Sequence, residues 1–317
     1  MNNHFDVIVI GAGAAGLTAG IYLSRAKVST LILNEGAVGG QMVLTHEIAN
    51  YPGVENISGY ELARIMKTQA QKFGCVIKSN LKITSMTLEE KTKKIEVNNK
   101  DIYTSNAVII ATGGKSRTIG AIGEDRFKGK GISYCATCDG DFFQDKEIIV
   151  VGGGNSALEE AVSLTKYASK VTVIHQFDHF QALQHYVEEA ENNSKIDFIM
   201  ESKIVEFIGD EKLTSVKIQN VDTQEITEKQ IDGVFIFIGY VPNTENLEGI
   251  VELNQWKEII VDKNMITNIP GVFAAGDSIQ KKYRQVTTAV ADGTVAALSA
   301  SEYINEFKKE LSLVNAV

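Results

Sequence analysis

Phe5-Asp6-Val7-Ile8-Val9-Ile10 runs directly into Gly11-Ala12-Gly13-Ala14-Ala15-Gly16, and a helical run, Leu17–Ala26, follows. A short apolar strand, a G-x-G-x-x-G turn and a helix in that order open a βαβ unit of the kind that holds a dinucleotide. Gly11 permits the tight turn, Gly13 lets the backbone approach a pyrophosphate, and Gly16 lets helix and strand lie close. Ala14 and Ala15 keep the same turn free of bulk. A second strand, Thr30–Leu33, leads to Glu35, 24 residues after Gly11. That spacing suits an acid meeting an adenosine ribose. A lone glycine motif says little, but strand, helix and late acid together make a merely structural turn a poor explanation.

The pattern recurs. Glu147–Val151 reads as a buried strand, Gly152-Gly153-Gly154-Asn155-Ser156-Ala157 as a second turn of the form G-x-G-x-x-A, Leu158–Tyr167 as its helix and Lys170–Ile174 as the next strand. Two such units about 140 residues apart predict an α/β protein with two dinucleotide-binding domains. Between them, Gly39-Gly40-Gln41 and the loop around Asn50-Tyr51-Pro52-Gly53 bring backbone and two amide side chains to where a flat ligand could be edged by Gln41 and Asn50. Glu61–Phe73 has helical amphipathicity. Cys75, before the strand Val76–Lys78, reads as a buried structural cysteine. Ala107–Ile110 is another buried strand, ending in the turn Ala111-Thr112-Gly113. Near the C-terminus the strand Val272–Ala275 delivers Gly276-Asp277, and an acid there is placed for a sugar-like hydroxyl. Tyr283-Arg284-Gln285-Val286 and a small-residue helix, Thr288–Ile304, follow.

Cys135-Ala136-Thr137-Cys138-Asp139-Gly140 carries the chemistry. Two cysteines at this spacing can close a small disulfide ring, and their surroundings can lower one thiol's pKa. Asp139 stands where it can take or give the proton that thiolate chemistry moves; a turn acid is the alternative. Half a zinc site is the alternative for the pair. Zinc takes four ligands, yet the only other cysteine is Cys75, and His175, His179 and His185 cluster without one. No metal is expected.

Composition sets bounds. The 317 residues allow two domains with real cores, and 44% hydrophobic with 22% charged residues is ordinary for a globular protein. Three cysteines make no disulfide scaffold and fit a reducing compartment, hence a cytoplasmic expectation. No signal-peptide pattern precedes Phe5, and no apolar run reaches the length of a membrane span. A net charge of −9 argues against nucleic acid as a partner.

Taken together, Gly11–Gly16, Gly39-Gly40-Gln41, Asn50–Gly53, Ala111–Gly113, Cys135–Gly140, Gly276-Asp277 and Arg284-Gln285 closely resemble the low-molecular-weight thioredoxin reductase family over nearly the whole chain. The resemblance implies two Rossmann-like domains of three-layer ββα and αβα type, the second inserted into the first. Residues 1–115 and 245–317 would form a discontinuous FAD-binding domain, and 116–244 the inserted domain with the dithiol and, in most members, NADPH. It implies non-covalent FAD held by Gly11, Gly13, Ala14, Ala15, Gly16, Glu35, Gly39, Gly40, Gln41, Asn50, Ala111, Thr112, Gly113, Gly276, Asp277, Arg284, Gln285 and Val286. It further implies a homodimer, thioredoxin as the substrate, Cys138 as the sulfur nearer the flavin and Cys135 as the one that attacks thioredoxin. Gly113–Lys115 and Val241–Glu245 would serve as hinges for a rotation of the inserted domain.

The chain departs from the family in one place. Members that use NADPH carry His-Arg-Arg-x-x-x-Arg after the second domain's second strand, and the arginines hold the 2′-phosphate. Here the stretch is His175-Gln176-Phe177-Asp178-His179-Phe180-Gln181-Ala182, and all three arginines are gone. Asn155 also stands where an acid is usual. The departure resembles the ferredoxin-dependent flavin thioredoxin reductase branch, with Lys128, Lys130, Lys281, Lys282 and Arg284 as candidates for a donor-docking patch. Competing readings are an NADPH- or NADH-dependent reductase with atypical nucleotide contacts, a deazaflavin donor, a ferredoxin:NADP reductase, which needs no dithiol, and a non-catalytic flavin redox sensor.

Overall fold

The computed structural model describes residues 3–45 and 47–314. The chain forms two compact units: Met1–Lys115 together with Val241–Val317, and Ser116–Tyr240. Residues 241–244 thus belong with the first unit.

The first unit is built on a seven-stranded sheet in the order Val76–Lys78, Thr30–Leu33, His4–Ile10, Asp101–Ile110, Lys93–Val97, Ile83–Thr87, with Val272–Ala274 also on Asp101–Ile110. His4–Ile10 is central. It pairs in parallel with Thr30–Leu33 (Ile10 opposite Leu33) and with the long strand (Ile10 opposite Ile110). Val7, Ile8 and Val9 are fully buried, as a strand covered on both faces requires. The long strand divides its other edge. Its first half pairs antiparallel with Lys93–Val97, and its last three residues pair in parallel with Val272–Ala274. This split brings Gly276-Asp277 to the same sheet end as Gly11 and Ala111.

Three helices cover one face. The first spans Ala14–Arg25, three residues earlier than the sequence suggests, because Gly13 is its extended N-cap and Ala14-Ala15 already favour helix. The second spans Gly59–Lys72, where the Ser58 hydroxyl accepts the Glu61 N–H at 3.2 Å. The last runs Val286–Val314, well beyond the expected Ile304. It lies so close to the first helix that a Cβ on Gly293 would sit 2.3 Å from the Ala15 carbonyl oxygen.

The second unit holds five parallel strands in the order Ile196–Ile199, Lys170–Ile174, Glu147–Val151, Gly233–Ile236, Ile132–Ser133. An antiparallel meander of Ser202–Gly209, Leu213–Asn220 and Ile226–Gln230 adds a second layer. The helix Asn155–Leu164 begins three residues before Leu158, again directly after a glycine turn. The two connecting segments, Gly114–Ser116 and Tyr240–Pro242, pair as a two-stranded ribbon. Among the described residues no helix is long and apolar enough to cross a membrane, and no cluster of His, Cys, Asp and Glu could hold a metal ion.

Candidate active site

In the first unit the glycine-rich stretches converge on one turn. Gly11 has φ +106°, and a Cβ there would lie 2.2 Å from the Ala111 carbonyl oxygen. A Cβ on Gly16 would lie 1.9 Å from the Gly11 carbonyl oxygen. Both positions therefore admit only glycine. Gly13 differs: nothing lies within 4 Å of where its Cβ would be. The space is open in front of the helix N-terminus, where backbone N–H groups face an anion. Gly39 donates its N–H to the Ala12 carbonyl at 2.8 Å, and Gly40 stands against the Gly13 Cα. Gly276, with φ +80°, stands against Ala15 on the other side.

Asp277 Oδ1 and Thr112 Oγ1, both buried in this unit, are among the side-chain oxygens that have no hydrogen-bond partner among the described residues. Burial raises the Asp277 carboxyl pKa, while the charges of Lys281 and Arg284 oppose the rise. Asn34, not singled out in the sequence, accepts the Ala12 N–H through Oδ1 at 2.9 Å and so fixes the turn. Asn243 donates its side-chain N–H to the Thr112 carbonyl at 3.0 Å and its backbone N–H to Gly113 at 2.9 Å. Glu35 is exposed, and its Oε1 already accepts the Ile83 N–H at 2.9 Å, which leaves Oε2 for a ribose. Gln41 is the second residue of a short 3-10 helix, Gly40–Leu44, and Asn50 is exposed in the loop between Ile48 and Ile57. Gln285 directly precedes the last helix, which Val286 opens.

In the second unit Cys135 and Cys138 are joined by a disulfide. Cys135 is the N-cap of the short helix Ala136–Asp139, and its Sγ accepts the Cys138 N–H at 3.2 Å. That bond stabilises negative charge on Cys135 once the pair is reduced. The centre of this stretch is Ser133. Its hydroxyl donates to Asp139 Oδ2 at 2.6 Å and accepts the Cys135 N–H at 3.1 Å. One buried hydroxyl thus links the acid to the first cysteine. Burial pushes the Asp139 pKa up, the Ser133 bond opposes the rise, and the nearby Asp141 adds to it. The only sequence signal for Ser133 is a hydroxyl in the two-residue buried strand Ile132–Ser133.

The second glycine turn keeps its backbone. Gly152 has φ +138°, and a Cβ on Gly154 would meet only open space. The side chains around it are different. A Cβ on Gly153 would fall 2.5 Å from the ring of His175, which is buried, edge-on to Phe177 at 5.3 Å and stacked on Phe180 at 6.0 Å. Burial lowers the His175 pKa. The loop is tied down by the Gln181 N–H to the Gly153 carbonyl at 2.8 Å and the Leu183 N–H to Asn155 Oδ1 at 2.7 Å. Gln176, Phe177 and Gln181 are all exposed. Acids stand close to this loop. Asp178 pairs with His179 at 2.6 Å, and the pKa of Glu201 is raised chiefly by Asp222 and also by Asp178. No lysine or arginine occurs between Lys170 and Lys195.

A family profile for pyridine nucleotide-disulphide oxidoreductases matches residues 5–293. The chain belongs to this family. A thioredoxin reductase of Peptoclostridium acidaminophilum is 45% identical over 311 residues, covering 96% of this chain and 98% of the relative. A Clostridium pasteurianum protein described as a 34.2 kDa protein in the rubredoxin operon is 46% identical over 299 residues, covering 94% and 97%. The crystal structure of a Streptococcus pyogenes thioredoxin reductase superposes with a TM-score of 0.93 at 40% identity, covering 96% of this chain and all of the other.

This pyridine nucleotide-disulphide oxidoreductase therefore has the α/β fold with two Rossmann-like domains, and its cofactor is FAD. The first unit fits that group. Gly13 leaves room for a pyrophosphate, and the unpartnered oxygens of Asp277 and Thr112 call for hydroxyl or amide donors. One expectation is corrected. Lys281 is paired with Asp292 and Arg284 with Glu258, and their side chains are only 12% and 22% exposed. Cations held in this way cannot form a protruding docking patch. Lys128 and Lys282 lie over the rings of Tyr134 and Tyr283.

Proposed function

We propose that this flavin disulfide oxidoreductase reduces thioredoxin through Cys135 and Cys138, with electrons delivered by ferredoxin in place of NADPH. The observation that carries the donor assignment is the loop at the second glycine turn. It presents Gln176, Phe177 and Gln181 where cations would be needed, with Asp178, Glu201 and Asp222 beside them. A 2′-phosphate at such a loop meets repulsion and no guanidinium.

FAD, when bound, supplies the conversion between one-electron and two-electron transfer. Gly11, Gly13, Ala14, Ala15 and Gly16 would hold its pyrophosphate, Glu35 would meet its ribose, and Gly39, Gly40, Gln41 and Asn50 would border its ring. Ala111, Thr112, Gly113, Gly276, Asp277, Arg284, Gln285 and Val286 would complete the cradle. With the pair reduced, the Cys135 thiolate attacks the thioredoxin disulfide, and one thioredoxin sulfur leaves with a proton. Cys138 then attacks Cys135 Sγ, which releases the second sulfur and restores the Cys135–Cys138 bond. Two electrons and two protons pass to thioredoxin. Asp139, held by Ser133, is the group that stores or moves a proton beside the thiols. We assign the protein to the cytoplasm as a homodimer.

A second reading, reduction by NADPH or NADH, is favoured by the open space at Gly154. Anaerobic titration of the oxidised protein with NADPH, NADH and reduced ferredoxin, followed by flavin absorbance, separates the two. Rapid bleaching by low-micromolar NADPH would refute the ferredoxin assignment.

A further inference from the structure

A buried carboxylate next to the redox stretch has no part in the chemistry described above. Glu124 is 4% exposed and opens the short helix Glu124–Phe127. Its Oε1 accepts the Tyr134 hydroxyl at 2.6 Å and the Ile119 N–H at 3.2 Å, and its Oε2 accepts the Gly120 N–H at 2.8 Å. A carboxylate so buried is held by donors or it is costly to keep. These donors come from two places in the chain. Ile119 and Gly120 follow the connector strand Gly114–Ser116, and Tyr134 is the residue before Cys135.

Glu124 is itself anchored. Ile122 donates to the Val205 carbonyl at 3.1 Å and accepts the Phe207 N–H at 2.8 Å, which fixes this turn to the strand Ser202–Gly209. Gly123 has φ +84°, and a Cβ on it would lie 2.7 Å from the Phe207 carbonyl oxygen, so the turn is seated against that strand. Phe127 is 1% exposed in the unit's core. Tyr134 therefore hangs from a rigid frame. Burial, with Glu124 and Asp125 nearby, holds its phenol protonated far above its usual range, so it stays a donor. Lys128 lies over its ring, 4.9 Å from the centroid. From the other side Ser133 grips the Cys135 N–H and Asp139.

We propose that Glu124 and Tyr134 are positioning residues for the redox pair: the Glu124 carboxylate and Tyr134 hydroxyl fix the peptide that carries Cys135 and so hold its Sγ where the Cys138 N–H can reach it. This rests on the reading of Cys135–Cys138 as the redox pair. Without the hydroxyl the peptide loosens, the 3.2 Å bond to Sγ weakens, and the Cys135 thiolate loses stabilisation.

The test uses the FAD-loaded protein with Tyr134→Phe, Glu124→Gln and the double variant. Two readouts are taken: the rate of Cys135 alkylation by iodoacetamide against pH after reduction, and the position of the Cys135–Cys138 equilibrium in dithiothreitol redox buffers. Each single variant should slow alkylation at neutral pH by about tenfold and move its pH profile to higher pH. The double variant should show no more than the larger single effect, since the two residues act through one bond. Wild-type alkylation and equilibrium in Tyr134→Phe would overturn the proposal, even if its thermal midpoint fell. Tyr134→Phe decides alone if Glu124→Gln does not fold. A wild-type pair that never exchanges with dithiothreitol would instead sink the reading of the pair itself.

Discussion

Restoring three arginines tests the electrostatic account of the donor. In Gln176→Arg/Phe177→Arg/Gln181→Arg the new guanidinium groups start from a fixed backbone. Gln181 is hydrogen-bonded to Gly153 at 2.8 Å, and Leu183 to Asn155 at 2.7 Å. A charge-assisted bond to phosphate is worth about 1.5–3 kcal/mol. These positions are solvent-exposed, so each arginine is worth less than that, about 0.5–1 kcal/mol. Three of them give roughly tenfold to a hundredfold tighter NADPH binding. The gain belongs to the 2′-phosphate, so NADH binding should hardly change. It should also shrink with added salt, because the loop is exposed. Anaerobic titration of flavin fluorescence with each nucleotide, at low and high ionic strength, measures this directly. No gain for NADPH, or an equal gain for NADH, would refute missing charge as the defect and leave the buried His175 ring, stacked on Phe180 against Gly153, as the obstacle.

Three further outcomes follow from the geometry. Cys75 is buried, and burial pushes its thiol pKa up to about 11, so it should resist alkylation at neutral pH, and Cys75→Ser should keep most turnover; abolished turnover in a folded Cys75→Ser would overturn the choice of active pair. Asp139 has a native pKa above its unfolded value, so the native state binds the proton more tightly and stability falls as pH rises between the two values. Asp139→Asn should therefore melt higher than wild type at neutral pH, lose that advantage in acid, and turn over about a hundredfold more slowly; unchanged turnover would remove Asp139 from proton transfer. Asp277→Ala removes a buried oxygen that has no protein partner, and should lower FAD affinity about tenfold or more, read as flavin content after dialysis; full retention of flavin would show that Asp277 does not meet the cofactor.

Much of the fold was legible because its decisive positions are local backbone requirements. Gly11 and Gly152 have positive φ, and a Cβ on Gly16 would fall 1.9 Å from the Gly11 carbonyl oxygen, so no side chain fits there. Such needs are met by residue identity at fixed offsets from a strand, so the two turns and their strands could be read directly. The Cys135–Cys138 pair was legible for the same reason, since its ring closes within four residues. The missing arginines were also plain in the linear chain. Helix ends were less so. The last helix continues to Val314, past Ile304, and Phe307 in that extension is buried and stacks on Tyr303.

What only the tertiary structure decided is which side chains meet. Ser133 becomes the partner of Asp139 because a two-residue strand is held at the edge of a parallel sheet. Glu124 reaches Tyr134, and Asp222 reaches Glu201, across folds of the chain that no spacing rule describes. Lys281 and Arg284 looked like free surface cations and are instead tied to Asp292 and Glu258. Sequence determines which backbone conformations are permitted at a turn, whereas a charge or hydroxyl takes its role from the groups that folding brings within three ångströms or so of it.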